Sequence, residues 1–410
     1  MEQLWGALRK LLQKIAYPLF NHGPVLHPAV HFERAREYER AVLYREQAAQ
    51  QAMQRYAYGE TTSHLSTGLA LLKMLPDTPT RAQHELRLHL ALGAPLMATK
   101  GWAAPELGAA YGQARELCQQ AGETPALFLA LFGLWVFQYT RVELSTAREL
   151  AEQLLALARR SNDGTLLMEA HHALGNTLHR LGELPAARTH LEQGLRHYDA
   201  MRHHVRSPVY GLDDGVAGLG YAAVVLWSLG YPDQALQRTH EMLTLARGTA
   251  QPVNLAWASN TAAWQYQLRR EDPQTQEHTE AGMTLCMEYG FAQLLAVGTI
   301  LRGWALAAQG QKEDGMAQMR EGLAAFQDTD AQIGRPRYLT MLAAVYGDMG
   351  QSTEGLTLLD EALTVAQHTG ERFYEAEFYR LKGELLLQNA ECGIQPLTPP
   401  LQMWLVYRRI

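Results

Sequence analysis

Apolar residues along most of this chain recur at three- and four-residue steps, the spacing that lines one face of an α-helix. Short polar turns such as Leu181-Gly182-Glu183-Leu184 and Leu229-Gly230-Tyr231-Pro232 interrupt them. Between residues 125 and 390 the interruptions are regular. The turn positions Val142, Gly182, Gly230, Arg270, Gly310 and Gly350 lie 40, 48, 40, 40 and 40 residues apart. Five residues after each turn stands Ala147, Ala187, Ala235, Thr275, Gly315 or Gly355. Twelve residues after the last five turns come Gly194, Met242, Gly282, Gly322 and Ala362. Seven residues before those five come Gly175, Ala223, Ala263, Gly303 and Ala343, and four before them Leu178, Leu226, Tyr266, Leu306 and Tyr346.

Two antiparallel helices joined by a tight turn approach closely only where small side chains stand at the crossing, and large residues one turn away fill the wedge. A single hairpin leaves an apolar outer face that the next hairpin covers. The pattern predicts an all-α chain, an α-solenoid in which hairpins of about forty residues stack into a right-handed superhelix. It divides the chain into an N-terminal amphipathic helix and break over 1–27, degenerate hairpins over 28–124, the repeat array over 125–390 and a non-repeat tail over 391–410. In the degenerate part, Tyr58-Gly59 reads as a turn and Met74–Thr80 as a break ending in a helix N-cap. Met97–Trp102 reads as a second break. The extra eight residues of the long step fall in 197–216, whose Pro208, Gly211, Asp213 and Asp214 mark a loop. Past Gly383 and Leu386 the prolines Pro396, Pro399 and Pro400 exclude a second helix, so the last unit reads as half a repeat.

These positions resemble the tetratricopeptide (TPR) pattern, whose usual unit is about 34 residues, and the longer unit is similar to the MalT-like TPR subclass. Four segments carry a narrower likeness: LKMLPDTPTRAQHELRLHLALGAPLMATKGWAAPEL (72–107), ARELAEQLLALARR (147–160), GTILRGWALAAQGQ (298–311) and ERFYEAEFYRLKGELLL (371–387). They resemble a bacterial family whose members join a class III nucleotide cyclase domain, a predicted AAA-type ATPase and a C-terminal TPR array. The resemblance implies that residues 28–388 correspond to the TPR part alone. The enzymatic parts have no counterpart here. G-x-x-x-x-G-K-[ST] does not occur, so nucleotide phosphates have no backbone cradle and lysine. No catalytic residue is carried over, and the expectation is a chain that is not an enzyme.

Composition narrows the chemistry further. The 410 residues carry 36 Lys and Arg against 42 Asp and Glu, a net charge of −6, which disfavours nucleic acid as a partner. Cys118, Cys286 and Cys392 are too far apart for a disulfide framework, which fits a reducing, cytoplasmic setting. No apolar run is long enough to span a membrane. The basic amphipathic helix at 1–20 interleaves Arg9, Lys10 and Lys14 with its leucines, unlike a secretory signal.

Sixteen histidines invite a metal reading. His84 and His89 are five apart, which turns their rings about 140° away from each other on a helix. His171, His172, His179 and His190, with His197, His203 and His204, lack carboxylates or cysteines at ligand spacing. No metal and no cofactor is expected. Gly218-Leu219-Gly220-Tyr221-Ala222-Ala223 fits a loose dinucleotide fingerprint, but no strand precedes it.

What remains is the concave groove, lined in a TPR superhelix by the first helix of each hairpin. The register points inward at positions one and four after the small residue. They are Asn176 and His179, Val224 and Trp227, Trp264 and Gln267, and Trp304 and Ala307. Trp227, Trp264 and Trp304 would form an apolar strip flanked by Asn176, Asn260 and Gln267, a surface suited to a peptide because rings supply area and amides pair with backbone. The expected function is a non-catalytic, regulatory scaffold. Its partner would be a protein or peptide in that groove, including a cyclase or ATPase domain. Ligand sensing in the bore, or an enzyme-associated role, are the alternatives.

Overall fold

The structure is a computed structural model and describes residues 26–120, 126–198 and 211–391. The amphipathic helix expected at 1–20, most of the long-step loop, Cys392 and the tail beyond Glu391 lie outside the described residues. Within them every regular element is an α-helix.

The chain opens with Leu26–Arg34, Tyr38–Gln54 and Tyr58–Leu72, followed by Pro79–Ala91, Gly93–Lys100 and Pro105–Gln120. Six hairpins follow: Ala126–Thr140 with Leu144–Ser161, Gly164–Arg180 with Leu184–Arg196, Asp214–Ser228 with Pro232–Thr249, Pro252–Leu268 with Asp272–Tyr289, Ala292–Ala308 with Lys312–Gln327, and Arg335–Asp348 with Ser352–Thr369. Glu375–Glu391 closes the described chain. They stack as a right-handed α-solenoid.

The turn chemistry explains the regularity. Val142, Gly182, Gly230, Arg270, Gly310 and Gly350 all adopt the left-handed conformation, with φ from 58° to 96°. Each ends a first helix in the same way. The N–H of Gly182 donates to His179 O and that of Glu183 to Leu178 O, and the pair recurs at Gly310–Gln311 and Gly350–Gln351. This is the Schellman arrangement, which uses the last helical carbonyls before the chain reverses. Three of the six second helices then start on Pro185, Pro232 or Pro273, where a missing N–H costs nothing. A second left-handed series, Ala250, Gly290, Asp330 and Gly370, turns each hairpin into the next at forty-residue intervals.

The small-residue register is a packing requirement. A Cβ on Gly303 would lie 2.6 Å from Gly315 O, and one on Gly322 2.7 Å from Ile300 Cγ1. Ala223, Ala263 and Ala343 have no exposed surface at all. An apolar cluster runs without a break from Val42 to Val225, so the degenerate hairpins and the first repeats share one core.

Upstream the structure departs from the sequence expectation by a few residues. The reversal falls at Tyr56, with φ of 57°, and Tyr58 already begins a helix. Gly59 invites a turn in the sequence, yet it stands in open space on that helix. The helix Gly93–Lys100 continues through most of the expected break and stops at Gly101, φ 96°. Glycine is needed there because a Cβ would come within 2.7 Å of Gln293 Oε1. The N-cap before Arg81 is Thr78, whose hydroxyl accepts the Arg81 N–H at 3.2 Å.

Successive coils of the superhelix touch. Gln293 Oε1 accepts the Trp102 N–H at 2.9 Å, and Arg180 pairs with Glu371 at 2.8 Å; both span 191 residues of sequence. Between them, Thr140 O accepts from the N–H groups of Gln332 and Ile333, within two residues of the same separation. Arg372 N–H caps Arg180 O at 2.8 Å. The bridges recur every forty residues on each side, so one superhelical turn takes a little under five repeats. In an open solenoid each repeat touches only its neighbours. Here the inter-repeat loops at 330–334 and 370–374 cap helices of the previous coil.

Candidate functional site

That closure turns the concave groove into a cavity of about 160 Å³ in the bore. Its walls come from the first helices of all six hairpins, completed by Trp102, Leu212, Phe326 and Ile333. On Pro252–Leu268 the lining residues Trp257, Asn260, Thr261 and Trp264 are three and four apart, a single face of the helix. Ala217, Tyr221 and Val224 do the same on Asp214–Ser228, and Phe132, Trp135, Val136 and Tyr139 on Ala126–Thr140.

Two guanidinium groups lie at one end. Arg180 donates Nε–H to the Tyr139 hydroxyl at 3.1 Å and Nη1–H to Glu371 at 2.8 Å, with Phe373 under its plane at 4.6 Å. Glu371 also accepts the Gly334 N–H. Burial pushes the Glu371 carboxyl up, against the pull of Arg180 and that N–H. Burial opposes the charge on Arg180 too, but Tyr139 and Glu371 outweigh it and hold Arg180 above its ordinary value.

Arg337 is in a different position. It is 2% exposed, its guanidinium lies 4.2 Å from the Trp264 ring centre and 4.7 Å from that of Tyr338, and Nη1–H reaches Met341 Sδ at 3.5 Å. Among the described residues no carboxylate comes within ion-pair distance of it. Burial pushes Arg337 below its ordinary value, and Arg180 adds to this. A guanidinium stays charged in proteins regardless. At the other end of the cavity His172 and Asp214 stand 3.6 Å apart, with Trp135 edge-on to the imidazole.

Of the seven residues expected in the groove, Asn260 and Trp264 line the cavity. Asn260 Nδ2–H donates to Leu294 O at 2.8 Å. Trp264 carries Arg337 on its face, and its Nε1–H has no partner. The other five stand elsewhere. Asn176 and His179 are wholly buried, and the His179 ring packs 4.7 Å from Phe373. Burial first, then Arg180, drives His179 well below its ordinary pKa. Gln267 is buried, and Trp227 and Trp304 are half-buried outside the cavity, Trp304 against the apolar cluster of Ile300 and Met319.

Trp264 lines the cavity, while Asn176 and Trp304, at the same position of their own repeats, do not, so repeat position alone does not decide which residues face the bore. Tyr221 and Trp257, earlier on their helices, also line it. That face was readable as a second helical stripe; Arg180, Arg337 and Glu371 were not, because their convergence depends on the coil-to-coil contact.

The other sequence candidates have ordinary surroundings. Among the described residues no group of three histidines, cysteines or carboxylates could hold a metal ion. His171 and His190 face each other with Nδ1 atoms 2.9 Å apart. Burial, then His190, lowers the His171 pKa to about 4. Cys286 is buried, which pushes its thiol up to about 12. Gly218–Ala223 lies inside a repeat helix, where Gly220 makes room for Trp257.

The tetratricopeptide repeat family matches residues 168–193, the hairpin that carries Gly175, Gly182 and Ala187. The chain thus contains a tetratricopeptide-type repeat at residues 168–193. A curated relative, an uncharacterized protein of Rhizobium meliloti (strain 1021), is 23% identical over 366 residues, covering 88% of this chain and 35% of the relative. This chain thus spans about a third of that relative's length. Among solved structures, a Rap protein complexed with competence and sporulation factor is similar with a TM-score of 0.54 at 10% identity, covering 89% of this chain and all of the other. The apo form of RapI follows with a TM-score of 0.43, 12% identity, and coverage of 85% and 98%. These likenesses concern the fold. No helix among the described residues is long and apolar enough to cross a membrane.

Proposed function

We propose that this chain is a non-catalytic, regulatory TPR-type scaffold with a protein or peptide as partner, one side chain of which enters the bore. The observation that carries the reading is the convergence of six consecutive first helices on one aromatic-lined cavity containing Trp257 and Trp264. The matched stretch fills only part of the longer Rhizobium relative, which supports a repeat array working beside other domains. By the family resemblance alone, a cyclase or ATPase domain is included among the partners. A Rap protein of this fold has been crystallised with competence and sporulation factor, so the architecture can hold a signalling factor. The test is a selection of displayed peptides on the purified chain. Enriched peptides are expected to lose binding to Trp264→Ala while the helical circular dichroism stays unchanged; binding indifferent to that substitution rejects the bore as the site. The same preparation is expected to show no ATP hydrolysis and no cyclic nucleotide production.

A second reading, ligand sensing, is favoured by the cavity itself. At about 160 Å³ it has the size of a known apolar cavity of ~150 Å³ that binds benzene. A thermal-shift screen against sugars, nucleosides and organic acids tests it, and the reading falls if nothing shifts the transition.

A further inference from the structure

The interior of the bore is charged in a way that packing does not explain. A lone cation taken out of water is strongly disfavoured unless an anion and hydrogen bonds answer it. Arg180 is answered by Glu371, whose carboxylate is further held by Gly334 N–H. Arg337 has two aromatic faces and a thioether but, among the described residues, no carboxylate within ion-pair distance. Two arginines thus stand near one glutamate, which pairs with Arg180 alone. The acid among the lining residues, Asp214, stands beside His172.

We infer that the cavity is a binding site for a small planar carboxylate, its carboxylate facing Arg337 and Arg180 and its flat body lying against Trp257, Tyr221 and Trp135. A guanidinium presents a planar fork of N–H donors that matches a carboxylate two bonds at a time. Trp264 Nε1–H is an unpartnered donor beside Arg337. The aromatic walls accept a ring in offset or edge-on contact, and the volume suits one six-membered ring with its acid group. The acid end points away from Asp214, which would repel it. This inference rests on the ligand-sensing reading of the cavity, not on capture of a protein.

The probe is sodium benzoate, compared with benzamide, which has the same ring and shape without the charge. Binding to the full chain is followed by the shift of the thermal transition and by tryptophan fluorescence. Saturable binding of benzoate is expected, with benzamide at least about tenfold weaker, since hydrogen bonds to charged groups contribute about 1.5–3 kcal/mol. Arg337→Met, which keeps the length of the side chain, is expected to weaken benzoate by a similar factor. It also removes an unanswered buried charge, so its transition without ligand is expected no lower than that of the wild type. Equal binding of benzamide and benzoate overturns the inference, as does wild-type benzoate affinity in Arg337→Met. The benzamide comparison needs no variant, so it stands if Arg337→Met fails to fold. Stabilisation by neutral sugars or nucleosides without any by benzoate refutes the carboxylate but keeps the sensing reading. Silence from every compound refutes both.

Discussion

Replacing Glu371 by Gln tests whether the superhelix is held shut from within. The substitution keeps shape and an acceptor for Gly334 N–H, but leaves Arg180 and Arg337 buried without an anion between them. Two opposite charges about 4 Å apart attract by about 4 kcal/mol at an effective dielectric near 20. Breaking a buried pair by removing one partner costs about 3–5 kcal/mol, because the remaining charge is stranded. Urea denaturation followed by circular dichroism at 222 nm should show a loss of that size. Because the pair joins positions 191 residues apart, its loss should also reduce cooperativity, the last hairpins unfolding ahead of the rest. The double variant Arg180→Met with Glu371→Leu removes both charges together and should be far less damaging than Glu371→Gln. A loss below about 1 kcal/mol in Glu371→Gln, or a double variant as unstable as the single, would refute the reasoning.

Three further outcomes follow from local geometry. His171 has a pKa of about 4 in the fold against about 6.5 unfolded. The unfolded chain then binds more protons in between, so stability is complete above about pH 6.5 and declines towards pH 4. The urea midpoint should be lower at pH 5 than at pH 7.5, and His171→Asn should shrink the difference; an unchanged difference would locate the effect elsewhere. Gly112→Ala, in open space on a helix, should raise stability by about 0.5–1 kcal/mol. Gly303→Ala should lower it by about 1–3 kcal/mol by driving a methyl into Gly315 O, so the same chemical change takes opposite signs in one denaturation assay. Arg270→Gly, at an exposed turn with φ of 58°, should raise stability slightly, by about 0.5 kcal/mol, read as a small rise in the thermal transition, since glycine adopts that conformation without strain.

The order of residues alone determined the helical class, the forty-residue cadence and the positions of the reversals. All of these follow from contacts between neighbours in sequence. Gly303 must be small because Gly315 lies against it across one hairpin, and Gly182 must turn left-handed to end one helix and start another. Of the residues the register turns inward, Trp264 and Asn260 line the cavity, whereas Trp227, Trp304, Asn176, His179 and Gln267 stand outside its lining. Tertiary structure decided the rest. How many repeats complete one turn depends on small angles added over five hairpins, and no single hairpin records their sum. Only when the coils close do the loops at 330–334 and 370–374 reach Thr140 and Arg180, shut the groove and bring Arg180, Arg337 and Glu371 to one wall.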